Sequence, residues 1–173
     1  MLSMLRRCPA LVCLTISLLL AGVSATAQEV PQDHAQIFKR AVDALNAAEK
    51  KLAGNYTAEA KALVKEASSL FAILQKEMPE HIKSQELTSG QEEQYNANQK
   101  LGEDSMANGQ RLEQAAAEKQ KKGDLLEAQG FMDAAAKVQQ EVVRDLGLAQ
   151  KAYLKAAIYH LRNSQLTFDS LHK

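Results

Sequence analysis

Four histidines are the residues of this chain best suited to hold a metal ion or a haem: His34, His81, His160 and His172. His34 begins the apolar face of the first predicted helix, and His160 ends the apolar face of the last one. In a helical bundle these two could converge on a metal, because imidazole is a common metal ligand. The alternative is that each lies half-solvated at a bundle end. Bundle metal sites usually add a Glu-x-x-His pair, which the chain lacks, so we expect no metal and no other cofactor.

Paired carboxylates are the next candidates for chemistry, since two acids can divide the work of general acid and general base. Glu92-Glu93 and Glu103-Asp104 lie in polar stretches, where a solvated helix face explains them. No serine has a G-x-S-x-G context, and no G-x-x-x-x-G-K phosphate loop occurs. The sequence therefore predicts no catalytic residue and a protein that is not an enzyme.

The first 27 residues have the pattern of a secretory signal peptide. Arg6 and Arg7 precede an apolar run from Ala10 to Val23, and Ala25 and Ala27 suit a signal-peptidase site. We predict cleavage between Ala27 and Gln28, and a periplasmic or secreted mature protein. The apolar run is shorter than the ~20 residues of a membrane span, and no second run follows. A stable membrane span after cleavage is therefore not expected.

The mature chain, residues 28–173, has the size of one domain. Both cysteines, Cys8 and Cys13, fall in the signal segment, so the domain is held together without disulfides. Removing Arg6 and Arg7 leaves 19 basic and 21 acidic residues, a net charge of −2. Without a basic excess we expect no nucleic-acid partner.

Composition and periodicity indicate an all-α protein. Alanine, glutamine, lysine, glutamate and leucine dominate, and all of them favour helices. Apolar residues recur at helical spacing in a first helix over 33–53, with Asp33 as N-cap and Gly54 as a left-handed C-cap. A second helix over 57–77, capped by Thr57, ends before Pro79. The three-residue connection predicts an antiparallel helical hairpin.

The stretch 79–108 has no firm apolar period and includes the polar run 91–100. We expect a less ordered or solvent-exposed segment here, with an exposed or mobile helix that opens more easily than its neighbours.

The most regular pattern runs from Leu125 to His160, where apolar or small residues alternate at spacings of 3 and 4. This is a coiled-coil-like repeat. Gly123-Asp124 is predicted to form a tight junction before it, with Asp124 and Glu127 spaced as a capping box. Either one helix spans about 124–166, or two helices meet at Gly147. Long alanine-rich seams can also pair between chains, so a homodimer stays open.

The segment from Leu112 to Ala135 resembles a tetratricopeptide hairpin. The resemblance rests on the order and spacing of Leu112, Ala116, Gly123-Asp124, Ala128, Met132 and Ala135, with an echo at Gly54-Asn55-Tyr56 close to two 34-residue periods earlier. It implies helical hairpins with a groove that binds peptides or proteins. The architecture is thus expected to be a bundle of antiparallel hairpins or a short tetratricopeptide-like array.

In composition, the segment from Gly123 to Tyr153 also resembles the last helix of periplasmic four-helix cytochromes. Those proteins bind haem through a methionine and a histidine. The first helix here has no methionine, and the chain has no C-x-x-C-H motif.

These patterns together predict an exported, non-enzymatic protein-interaction or scaffold protein of the cell envelope with a protein partner. One alternative is a bundle that binds a small ligand, sensory or carrier-like. A second alternative is a metal or haem carrier that uses His34 and His160.

Overall fold

A computed structural model describes residues 33–84 and 86–169, all within one compact unit, Pro31–Lys173. The elements are α1 (His34–Ala53), α2 (Thr57–Glu77), α3 (Pro79–Ser84), α4 (Ser89–Ala128) and α5 (Met132–Phe168). The described part contains no β-strand, so the all-α prediction is confirmed. None of its helices is sufficiently long and apolar to cross a membrane. The predicted cleavage site at Ala27 and Gln28 lies outside the described residues, as does His172.

The helix α1 begins and ends close to where the sequence predicts. The Asp33 carboxylate accepts a hydrogen bond from the Ala35 backbone N–H at 3.0 Å, which satisfies one of the free donors of the first turn. The C-cap prediction was wrong in its geometry: Gly54 has φ −79°, and Asn55 adopts the left-handed conformation at φ 65°. Asparagine tolerates this region because its short side chain can bond locally.

The helix α2 spans the predicted residues but lacks the predicted cap. Its N-cap residue is Tyr56, which makes no side-chain cap bond, and Thr57 is already helical. Both α1 and α2 bury one apolar stripe against each other and against the second half of α5. The stripe residues of the two helices are Phe38, Ala41, Leu45, Ala48, Leu52, Ala60, Val64, Ala67, Leu70, Phe71 and Leu74.

The core is completed by residues from the second half of α5, namely Leu154, Ile158 and Phe168. Phe71 lies at its centre, with ring centroids 6.3 Å from Phe38 and 6.5 Å from Phe168. Edge-on and offset ring contacts of this kind stabilise a core beyond the area they bury. The two N-terminal helices are therefore fixed to one end of α5.

The weakly periodic stretch 79–108 is helical through most of its length. Thr88 and Gln91 form a capping box that starts α4: the Thr88 hydroxyl accepts from the Gln91 N–H at 3.3 Å, and the Gln91 side chain accepts from the Thr88 N–H at 3.0 Å. Residues 92–97 face solvent. The helix continues to Ala128. Its buried positions are filled by glycine and alanine, which give a weak apolar signal, and this explains why the sequence shows no firm apolar period here.

The turn between the last two helices was predicted at the wrong place. Gly123-Asp124 lies inside α4, and the chain turns at residues 129–131, where Gly130 has φ +83°. Gly147 lies inside α5 and breaks nothing. A continuous helix over 124–166 and a two-helix junction at Gly147 are therefore both wrong. The capping box predicted at Asp124 and Glu127 is also wrong, because both residues are within α4.

The helices α4 and α5 pack antiparallel along a seam of small residues. The buried positions of α4 are Gly102, Gly109, Ala116 and Gly123, spaced seven apart. A Cβ on Gly102 would lie 3.4 Å from the His160 ring, one on Gly109 would lie 2.6 Å from the Tyr153 ring, and one on Gly123 would lie 3.5 Å from Val138. The glycines thus let side chains of α5 pack directly on the backbone of α4.

Candidate functional site

A groove lies between α1 and α4 with α5 as its floor, here called the α1–α4 groove. Its volume is about 870 Å³. The last turns of α1 form one wall, and the middle of α4 forms the other. Its lining includes Glu49, Leu52, Leu101, Asp104, Leu112, Leu148, Lys151, Lys155 and Ile158.

Apolar side chains dominate the surface of this groove. Leu101 on α4 is 43% exposed and Leu148 on α5 is 46% exposed, although both lie on faces directed at the groove. Leu52 and Ile158 are buried beneath them and join the groove to the core. Exposed leucines that continue a buried apolar surface are typical of a site for another molecule.

The charged side chains of the groove differ between its walls and its floor: the acids are on α1 and α4, and the lysines are on α5. Glu49 is bound by Arg162, whose Nε and Nη2 donate to the carboxylate at 3.0 and 2.7 Å, so its charge is compensated. Lys151 on the floor donates to the Asn55 side-chain carbonyl, and Lys155 lies 5.9 Å from the centre of the Tyr159 ring. Neither lysine is within ion-pair distance of a carboxylate among the described residues.

A smaller polar pocket of about 370 Å³ lies on the other side of the α4–α5 pair. Its lining includes Tyr95 and Glu103 from α4 and His160 and Asn163 from α5. Asn163 is 7% exposed. Its Nδ2 donates to the Tyr95 carbonyl at 3.2 Å, and its Oδ1 has no hydrogen-bond partner among the described residues. A buried acceptor without a partner is unusual, because it loses its hydration without replacement.

An ion pair between a half-buried lysine and a buried carboxylate joins α4 and α5 nearer their turn. Lys119 donates to Asp145 at 2.7 Å and lies 3.1 Å from Glu141. The hydrogen bond from Lys119 holds the pKa of Asp145 below its ordinary value, and the same bond raises the pKa of Lys119. On the opposite edge of the seam, the hydroxyl of Tyr153 donates to Glu113 at 2.6 Å, which raises the tyrosine pKa.

The two histidines singled out in the sequence have different partners. The His34 ring is 3.0 Å from the Glu77 carboxylate at the far end of α2, whereas His160 packs on Gly102 and lines the polar pocket. His81 stacks on Phe168, with ring centroids 5.8 Å apart. Within residues 33–84 and 86–169, no group of three or more histidine, cysteine or carboxylate side chains is placed to hold a metal ion.

The carboxylate pairs in the sequence do not form paired sites. Glu103 lines the polar pocket while Asp104 lines the α1–α4 groove, so the two neighbours lie on different sides of α4. Glu92 and Glu93 are both exposed. Consecutive helix residues point about 100° apart, which explains why Glu103 and Asp104 line different concavities.

The placement of Lys151 and Lys155 in one groove could not be recognised from the sequence without knowing where α1 ends. The sequence places both on the face of α5 opposite His160, and the structure agrees. The sequence shows that Leu148 and Ile158 lie within one turn of these lysines on α5, and in the structure both also line the groove. The wall provided by α1 depends on how α1 packs beside α4 and α5, which the sequence pattern of α5 does not show.

Comparison of the chain with protein-family models, with curated proteins and with solved structures found no match.

Proposed function

We propose that this chain is an exported, non-enzymatic protein-interaction protein of the cell envelope, periplasmic or secreted, whose helix pairs serve as antiparallel hairpins that present the α1–α4 groove to a partner helix. The observation that carries the proposal is the exposure of Leu101 and Leu148 on the faces directed at that groove. An amphipathic helix laid in an apolar groove is a recurrent mode of protein recognition.

The size of the groove supports a helical occupant. A helix with its side chains is about 10 Å across and fills roughly 80 Å³ per Å of length, so 870 Å³ corresponds to about two turns. Two turns place three or four side chains of one face in contact. The tetratricopeptide-like resemblance suggests the same kind of function, although the turn it implies at Gly123-Asp124 lies inside α4.

A site-specific crosslinking experiment tests this proposal in the native envelope. A photoreactive phenylalanine analogue replaces Leu148 in the groove, and in a control chain it replaces Ile73, an exposed apolar residue of α2. We expect one discrete crosslinked protein from position 148 and none from position 73. The partner, once purified, should bind the wild-type chain and bind Leu148→Asp at least tenfold more weakly, which is a loss of about 1.4 kcal/mol. Equal crosslinking at both positions would contradict the proposal.

A second candidate function is binding of a small molecule, favoured by the unpartnered Oδ1 of Asn163 beside the polar pocket. A ligand that donates a hydrogen bond would satisfy this acceptor. Intact mass measurement of the mature chain under native conditions, after purification from its own compartment, separates the candidates. Added mass of a metabolite, a metal or a haem would favour a ligand or metal carrier, including the alternative that uses His34 and His160. The same spectrum reports whether the chain begins at Gln28 and whether it dimerises.

A further inference from the structure

The floor of the α1–α4 groove has two lysines that bear on the identity of its occupant. Lys151 and Lys155 are one helical turn apart on α5 and both line the groove. The carboxylate of Glu49 on the α1 wall is already occupied by Arg162 at 2.7 Å. The remaining acid, Asp104, belongs to the α4 wall. The two cations on α5 therefore lack carboxylate partners among the described residues.

We infer that the occupant is an amphipathic helix with a leucine-like apolar stripe and with carboxylates along the one flank that faces α5. This inference rests on the proposed function and adds the chemistry of the partner. The apolar stripe would contact Leu101, Leu112 and Leu148. The acidic flank would reach Lys151 and Lys155, because residues three or four apart on a helix match the spacing of these two lysines.

The opposite flank of the occupant is constrained by Asp104. A carboxylate placed near this side chain would be repelled, since like charges close together disfavour binding. A neutral or basic residue is compatible with it. The groove thus distinguishes the two flanks of its ligand and fixes the direction in which the partner helix lies.

Three synthetic peptides test the inference. Each has about 18 residues, or five helical turns, with the same leucine stripe, and the flank residues are glutamate in one, glutamine in the second and lysine in the third. Binding to the mature full chain is measured by fluorescence anisotropy at low and at physiological salt. We expect the glutamate peptide to bind most tightly and to lose affinity as salt rises, because exposed charges are screened.

The lysines are then reversed in the variant Lys151→Glu/Lys155→Glu. Its affinity for the glutamate peptide should fall roughly tenfold and its preference should shift to the lysine peptide. The matched control is Lys61→Glu/Lys65→Glu, which changes two exposed lysines, also one turn apart, on α2 and should leave all three affinities unchanged.

The outcomes separate the two proposals. If the glutamine and lysine peptides bind the wild-type chain as tightly as the glutamate peptide, the acidic partner is wrong and the docking of a helix stands. If the control variant loses affinity as much as the groove variant, the effect is one of net charge and the assigned contact is wrong. If none of the peptides binds, helix docking in the groove is itself contradicted.

Discussion

Asp145 is a charged residue buried in a seam that consists mainly of small and apolar residues. Its side chain is 9% exposed and lies between Lys119 and Arg144, at 2.7 and 3.5 Å. A buried carboxylate is costly unless it is bonded to a cation, so these contacts favour the packing of α4 against α5 at this position.

The stability of the chain should therefore depend on the ionisation of Asp145. Because its pKa is lower in the folded state than in the unfolded chain, its contribution is complete above the unfolded pKa of about 3.9 and is lost as pH falls through the folded pKa. In Asp145→Asn, the free energy of unfolding should fall less steeply than in the wild type between about pH 5 and about pH 2. Urea denaturation at several pH values measures this. Asp43→Asn, an exposed partner of Lys39, is the control, and parallel profiles for wild type and Asp145→Asn would contradict the assignment.

Gly109 shows how close the two long helices approach. A Cβ at this position would lie 2.6 Å from Cε1 of Tyr153, whose hydroxyl is bound to Glu113. Gly109→Ala should destabilise the fold by about 1–3 kcal/mol, despite a helix-propensity gain of about 1 kcal/mol. Thermal or urea unfolding checks the sign. In the background Tyr153→Ala, which removes the opposing ring, the same substitution should become neutral or stabilising.

The four long helices differ in how well their bounds can be predicted from the sequence. The bounds of α1 and α2 follow from it because large apolar residues, such as Phe38 and Phe71, mark one face and Asp33 caps the first helix. The bounds of α4 and α5 do not. The apolar repeat keeps its phase across the turn at 129–131, and therefore hides it.

Glycine has three different roles in this part of the chain, and the presence of a glycine in the sequence does not show which role it has. Gly123 permits close packing on Val138, Gly130 adopts a positive φ in the turn, and Gly147 lies in an exposed helix interior with no other group within 4 Å of a built Cβ. Which role applies depends on the opposing helix. The α1–α4 groove has the same origin, since it exists only because α1 ends beside α4 and α5.

The third role leads to a stabilising substitution. Gly147→Ala should raise the free energy of unfolding by about 0.5–1 kcal/mol, because alanine loses less backbone entropy in a helix. The added methyl group would not clash with any neighbour, because no other group lies within 4 Å of its position. The midpoint of urea unfolding is the measurement. A lower midpoint would show that the glycine serves a purpose that its free surroundings do not reveal.

At the scale of the whole molecule, the packing is unequal between the two ends of the α4–α5 pair. The core cluster uses Leu154, Ile158 and Phe168 of α5. In the half of the pair nearest its turn, the buried residues are Ala116, Gly123, Val142 and Asp145, and Leu125, Phe131 and Met132 are 59–64% exposed. Less apolar area is buried there, and hydrophobic stabilisation scales with that area.

Amide hydrogen exchange should divide the molecule accordingly. Amides of residues 118–128 and 132–140 should exchange through local opening, faster than amides of 60–74 and 154–166, which require near-global unfolding. Exchange followed by mass spectrometry, with the mature chain at several times, resolves these segments. Equal protection in both sets would show that the seam of glycine and alanine holds as firmly as the phenylalanine core.

The seven-residue spacing along α4 has a consequence for alignment. A shift of α4 along α5 by one repeat, about 10.5 Å, would again set a glycine or alanine of α4 against the same row of α5, because Gly102, Gly109, Ala116 and Gly123 are spaced seven apart. Tyr153 opposes one direction of this shift, since it would then meet the Cβ of Ala116 in place of Gly109. Asp145 would then leave Lys119 and face Leu112 or Leu126, seven residues to either side. A buried carboxylate against leucine is strongly unfavourable. The ion pair of Lys119 and Asp145 therefore disfavours both shifted alignments, and so does the three-residue connection at 129–131, which joins the two helices directly.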